Sequence, residues 1–173
     1  MGSGALRALD RAVLDIVQLP HFGWLDVAGS VVSLAAAAEI GAALAAGLAV
    51  ARLRARRGDW WIPLAIALTV IVETILKLTV PQPLPPHELT RNVFASPGIY
   101  VPFLNSYPSG HMARTAFLAS VVWIPRPLAI GAVAIMALTR VYMAEHWPSD
   151  VIGGILLGNG VAAIALFIHS RAR

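Results

Sequence analysis

The sequence predicts an all-α integral-membrane protein: a bundle of about five transmembrane helices with an amphipathic helix lying in the interface at its N-terminus. Three observations predict it. Of 173 residues 58% are hydrophobic and only 13% charged, and the mean hydropathy of +0.73 is far above that of a soluble domain. The apolar residues fall in five runs separated by proline, glycine and charge. With five spans, Arg52, Arg54, Arg56, Arg57, Arg126, Arg171 and Arg173 all fall on one side, which the positive-inside rule assigns to the cytoplasm.

The formal charge of +4 does not point to nucleic acid, because the arginines flank apolar segments and form no basic stripe with interleaved aromatics. The absence of cysteine excludes disulfides and thiol chemistry and says little about compartment. Asp10, Arg11 and Asp15 stand where a signal peptide would have its apolar core, so no cleavable signal is expected.

In chain order, residues 5–18 place Leu6, Leu9, Val13, Ile16 and Val17 at helical spacing, with Arg7, Asp10, Arg11 and Asp15 elsewhere on the wheel. This segment is too short and too charged to span, and reads as the interfacial helix. Residues 24–51 form the first span, dense in Ala and Gly for close packing. Residues 60–80 form the second, with Trp60 and Trp61 as interface anchors. Residues 81–108 are a proline-rich loop in which no helix can be continuous, expected to border the entrance to a site. Residues 109–124 form the third span. Its apolar run reaches only about 20 Å at ~1.5 Å per residue, short for a bilayer ~30 Å thick, so its Ser109 end is expected somewhat below the membrane surface. Residues 127–144 and 148–169 are the fourth and fifth spans, the last with Gly154-x-x-x-Gly158 as a close-packing face. Residues 1–173 read as one domain.

Two junctions concentrate the chemistry. If the helix of residues 148–169 starts near Trp147, with Pro148 in its first turn, His146 and Asp150 lie one turn apart on one face. Asp150 can then hold one imidazole nitrogen and leave the other as an outward lone pair, as a nucleophilic or basic histidine requires. A purely structural His-carboxylate pair has the same spacing. Arg140, at the end of the preceding helix, can offer a fixed positive charge to an anionic substrate. The second junction is Tyr107-Pro108-Ser109-Gly110-His111. Pro108 and Gly110 break the chain, Ser109 is a good N-cap, and the Gly110 and His111 amides would point out of a helix N-terminus, a site suited to phosphate.

Other groups stay open. Lys77 either snorkels at its helix end, pairing with Glu73 one turn earlier, or binds phosphate. Glu39, near the middle of the first span, is a functional candidate as an intramembrane carboxylate, or pairs with Arg114, or stays protonated among Ser and Thr neighbours. His21, His87 and His169 read as interfacial, and no residues have metal-ligand spacing.

At these residues the sequence resembles the type 2 phosphatidic acid phosphatases, membrane-bound lipid phosphate phosphatases. Their pattern is Lys followed after six residues by Arg-Pro, then Pro-Ser-Gly-His, then Ser-Arg, five residues, His, three residues and Asp. The second part is complete at Pro108 to His111. The third is nearly complete, with Thr139 in place of Ser and then Arg140, His146 and Asp150 in register. In the first, Lys77 is followed by Leu84-Pro85, so the arginine is missing; Arg91 and Arg114 are candidate substitutes.

The resemblance implies metal-independent hydrolysis of a lipid phosphate with no cofactor. His146 would attack phosphorus to form a phosphohistidine, Asp150 would orient it, and His111 would protonate the leaving alkoxide and later activate water. Lys77, Arg140, Ser109 and the Gly110 amide would cradle the phosphate. The substrate would be phosphatidate-like, phosphatidylglycerophosphate or a polyprenyl phosphate or diphosphate. Expected partners are that lipid and the bilayer, with no nucleic acid and no implied oligomeric state. The expected location is the cell membrane, multi-pass, with the site on the extracytoplasmic side, since Lys77, Ser109, His111, Arg140, His146 and Asp150 all fall opposite the arginine-rich side. Two alternatives remain: a lipid phosphotransferase using the same histidine, and a non-catalytic lipid-phosphate binder.

Overall fold

The structure, a computed structural model, describes residues 4–94 and 103–172. The part of the loop at 95–102 therefore lies outside the described residues. The order is α1 (Gly4–Val17), α2 (Gly23–Ala35), α3 (Ala38–Arg54), a 3-10 turn (Ile62–Ala65) leading into α4 (Ile66–Thr79), a second 3-10 turn (His87–Leu89), α5 (Gly110–Val121), α6 (Arg126–Tyr142) and α7 (Pro148–Arg171). No strand forms among the described residues; Pro83 and Asn105 make one isolated antiparallel bridge. The all-helical expectation is met.

Ile62–Thr79 and Pro148–Arg171 are long and apolar enough to cross a membrane. The expected span of residues 24–51 is two helices, α2 and α3, bent by 47° at Ala36 and Ala37, and counts as a third crossing if the bent pair is one span. No proline or glycine marks this break. Its cause is tertiary: the Ala36 carbonyl accepts a hydrogen bond from Arg114 Nε at 3.1 Å, and an apolar environment offers the freed carbonyl no solvent instead. α5 has 12 residues and α6 has 17. α5 is the central helix, in contact with α3, α4, α6 and α7.

Glycines let α7 press onto α5. A Cβ at Gly154 would sit 2.4 Å from the Ser109 carbonyl oxygen, and one at Gly158 only 2.2 Å from that of Ala113. The Gly154-x-x-x-Gly158 face is thus used for backbone-to-backbone packing. One core cluster joins Ile62, Ile66, Phe117, Val121, Val161 and Ala165; a second joins Leu14, Met112, Met136, Val141 and Val151. Leu14 is fully buried while Leu9 and Ile16 are exposed. α1 therefore docks one stripe on the bundle and turns its other apolar side outward, toward the interface in which the sequence places it.

The two ends of the bundle differ in charge. Arg52 Nη2 donates to the Val121 carbonyl at the end of α5, and Arg52 and Arg57 both pair with Asp59. The hydrogen bond from Arg57 holds the Asp59 carboxyl below the usual carboxylate range. Gly58 lies near His169 at the end of α7. This basic end is opposite the N-termini of α5 and α7, where the motif residues sit.

Candidate active site

α7 begins where the proline predicts. Trp147 is extended, Pro148 occupies the first turn, and Asp150 Oδ2 accepts the Trp147 backbone N–H at 2.9 Å. The same oxygen faces His146 Nδ1 at 3.4 Å. One carboxylate therefore both closes the helix N-terminus and orients the imidazole. Its other oxygen accepts a hydrogen bond from Gln82 Nε2 at 2.9 Å, and the side chain is fully buried. With both Asp150 oxygens accepting from Gln82 and the Trp147 N–H, the tautomer that fits has the proton on His146 Nδ1 and the lone pair on Nε2. Burial pushes the His146 pKa down to about 4 against the opposing hydrogen bond to Asp150, with Arg140 and Lys77 also disfavouring the cation. The ring is neutral at physiological pH.

Ser109 caps α5 by position, and its backbone N–H donates to the Asp150 carbonyl at 3.0 Å. That bond ties the starts of α5 and α7 together. Gly110 and His111 form the first turn of α5, and His111 lies within electrostatic reach of Arg140, Arg114, His146 and Lys77. Arg140, in the last turn of α6, is buried; its guanidinium donates to Ser33 Oγ and pairs with Glu145, which also receives Asn92. Lys77, in the last turn of α4, pairs with Glu73 at 2.9 Å and lies 4.9 Å from the centre of the Phe103 ring. The structure thus brings Lys77, Ser109, Gly110, His111, Arg140, His146 and Asp150 to one end of the bundle.

Two buried polar atoms there have no partner among the described residues: Ser109 Oγ and Arg140 Nε. A buried donor without an acceptor is costly. An anion at the α5 N-terminus would give Ser109 Oγ a partner, alongside the amides of the first turn, and Arg140 acts electrostatically on both His111 and His146 at the same end of the bundle. Among the described residues no group of three or more His, Cys, Asp or Glu is placed to hold a metal ion.

Several contributors were not legible in the sequence. Gln82 on the loop steadies Asp150 and Ser149. Asp10 of α1 accepts the Ser149 N–H at 2.9 Å and the Ser149 hydroxyl at 2.7 Å, so the interfacial helix buttresses the start of α7. Glu73 pairs with Lys77, the alternative the i,i+4 spacing raised, and also with Arg114 at 2.9 Å. Glu39 is exposed in the first turn of α3; the carboxylate that pairs with Arg114 is Glu73. Arg91 donates to the Pro20 and Gln18 carbonyls and lies over the Tyr142 ring, which ties the loop to the end of α1.

Known proteins resemble this chain in sequence and in fold. The profile of the PAP2 superfamily matches residues 58–173. Over 71 residues the chain is 39% identical to the undecaprenyl-diphosphatase of Sulfolobus acidocaldarius, covering 38% of this chain and 34% of that protein, so it spans only about a third of that relative's length. Over 128 residues it is 30% identical to the decaprenylphosphoryl-5-phosphoribose phosphatase of Mycobacterium tuberculosis, covering 72% of this chain and 70% of that one. The fold matches the transmembrane PAP2 type phosphatidylglycerolphosphate phosphatase of Bacillus subtilis with a TM-score of 0.81 at 18% identity, over 99% of this chain and 90% of that one. The arrangement of the helices, the profile match across two-thirds of the sequence and the mycobacterial relative agree: the chain belongs to the PAP2 superfamily.

Proposed function

We propose that this chain is a metal-independent lipid phosphate phosphatase of the cell membrane, acting through a phosphohistidine with its site on the extracytoplasmic side. The observation that carries the reading is the pair of orphaned buried donors, Ser109 Oγ and Arg140 Nε, at the helix end beside a neutral His146. Two unpaired buried donors at the end of the bundle that holds His146 support the reading, because an anion would supply the acceptors they lack. The relatives named above act on phosphorylated polyprenyl lipids and phosphatidylglycerolphosphate, which favours a phosphomonoester or diphosphate on a membrane lipid.

In this mechanism His146 Nε2 forms a bond to phosphorus as the bond to the lipid oxygen breaks. Asp150 accepts from Nδ1–H and stabilises the positive charge that develops on the ring. His111 gives its proton to the leaving alkoxide, then takes one from the water that cleaves the N–P bond. Lys77, Arg140, Ser109 and the Gly110 amide hold the phosphoryl oxygens, where preorganised cations do the electrostatic work.

The test is phosphate release from phosphatidate, phosphatidylglycerophosphate and polyprenyl phosphates in detergent. Wild type should release phosphate from at least one of them with excess chelator present, and His146→Ala from none. Equal release by the two proteins would remove the mechanism, and loss on chelation restored by magnesium would replace it with metal catalysis. Turnover that needs an added alcohol would make the protein a phosphotransferase.

A further inference from the structure

At position 84, where the pattern of the type 2 phosphatidic acid phosphatases that the sequence resembles has arginine, this chain has Leu84 on the loop, 49% exposed. Of the two candidate substitutes, Arg91 is committed to the Pro20 and Gln18 carbonyls at 2.7 and 2.8 Å. Arg114 is differently placed. It is buried one turn after Gly110 on α5, and helical side chains lean toward the helix N-terminus. Its stem packs on Gly41, Nε is anchored on the Ala36 carbonyl at 3.1 Å, and Nη1 meets Glu73 Oε2 at 2.9 Å. Glu73 Oε1 meets Lys77 Nζ at 2.9 Å. That carboxylate lies directly on the Gly110 backbone: a Cβ there would fall 2.0 Å from Oε1 and 2.2 Å from Oε2. A planar anion thus sits against the α5 N-terminus between a guanidinium and an ammonium. These are the groups that recognise a phosphoryl oxygen.

We propose that Arg114 is the guanidinium of the phosphate subsite in place of one at position 84, and that Glu73 is a surrogate anion holding Arg114 and Lys77 there until phosphate replaces it. The proposal rests on the phosphatase reading for its substrate, and on geometry alone for the subsite. A buried arginine needs a counter-charge when the site is empty. When a phosphate dianion arrives, it competes with Glu73 for both cations and repels the carboxylate. Glu73 therefore weakens anion binding while keeping the cations in place.

Binding of inorganic phosphate and of orthovanadate to the full chain in detergent tests this without turnover. Removing the competing charge in Glu73→Gln should tighten phosphate binding about tenfold or more, and Arg114→Gln should weaken it by at least as much, since a hydrogen bond to a charged group is worth at least a factor of ten. Arg114→Lys should fall between, and Arg91→Gln should bind as wild type. If Arg114→Gln folds poorly, the double variant Glu73→Gln/Arg114→Gln removes the pair together and should bind phosphate less well than Glu73→Gln alone. Unchanged binding in Glu73→Gln, or unweakened binding on loss of Arg114 in either background, overturns the proposal. Should wild type show this pattern yet release no phosphate from any lipid, the phosphatase reading falls and the anion subsite stands.

Discussion

At the scale of single residues the proposed chemistry turns on one imidazole and its carboxylate. If His146 is the nucleophile, no neighbour can form the phosphoenzyme in its place, so His146→Ala should lower kcat/KM by more than about 10⁴-fold. His111→Ala should lose about 10²- to 10⁴-fold, and least on substrates with good leaving groups. Turnover of an aryl phosphate beside a lipid phosphate checks both. The depressed pKa of His146 also fixes a sign. Below its ordinary value of 6.5 the unfolded chain binds a proton that the folded chain refuses until about 4, so stability falls as pH drops through that window. Melting temperature in detergent should therefore decline from pH 7 to pH 5, and decline less in His146→Gln. The His146 and Asp150 relation was legible because it is local, four residues on one helix start. The partners that refine the site were not. Gln82 reaches Asp150 across 68 residues and Asp10 reaches Ser149 across 139, and no periodicity encodes such meetings.

At the scale of elements, proline and glycine were the readable signals and alanine was not. Pro148 marks the start of α7 and Ser109-Gly110 the start of α5, both as the sequence implies. The break between α2 and α3 falls in a run of four alanines; only the distant Arg114 explains why the chain turns there. The packing of α7 on α5 yields a prediction at this scale. A methyl at Gly158 would meet the Ala113 carbonyl oxygen at 2.2 Å and the Phe117 nitrogen at 2.8 Å, and neither backbone atom can swing aside. Gly158→Ala must push the helices apart, separating Ser109 from Asp150. It should cost about 1–3 kcal/mol, lower the melting temperature and reduce activity. Gly160, where an added methyl would meet nothing within 4 Å, is the control: Gly160→Ala should melt and turn over as wild type. Equal behaviour of the two variants would show that the close approach is not needed. α1 gives a second case, because Asp10 accepts two hydrogen bonds from Ser149. Asp10→Ala should remove about 1 kcal/mol of helix-end stabilisation, seen as a lower melting temperature.

At the scale of the whole molecule, charge and chemistry separate to opposite ends of the same helices. Arg52 holds the last carbonyl of α5 and Gly58 lies beside His169 near the end of α7, while Ser109, His146 and Asp150 gather at the beginnings of those two helices. In the proposed orientation the basic end faces the cytoplasm and the site the outside, as the positive-inside rule expects. A chain without cysteine makes this directly testable by single-cysteine labelling. His87 and Gly58 are exposed positions at the two ends, away from the hydrogen bonds that build the site. In intact cells His87→Cys should react with a membrane-impermeant maleimide, and Gly58→Cys only after the membrane is opened. The reverse pattern would place the site in the cytoplasm, where the lipid phosphates offered to it would belong to the inner leaflet. Labelling of both positions in intact cells would mean that the two ends are not separated by the bilayer, and the division of the bundle into a basic end and a reactive end would lose its membrane meaning.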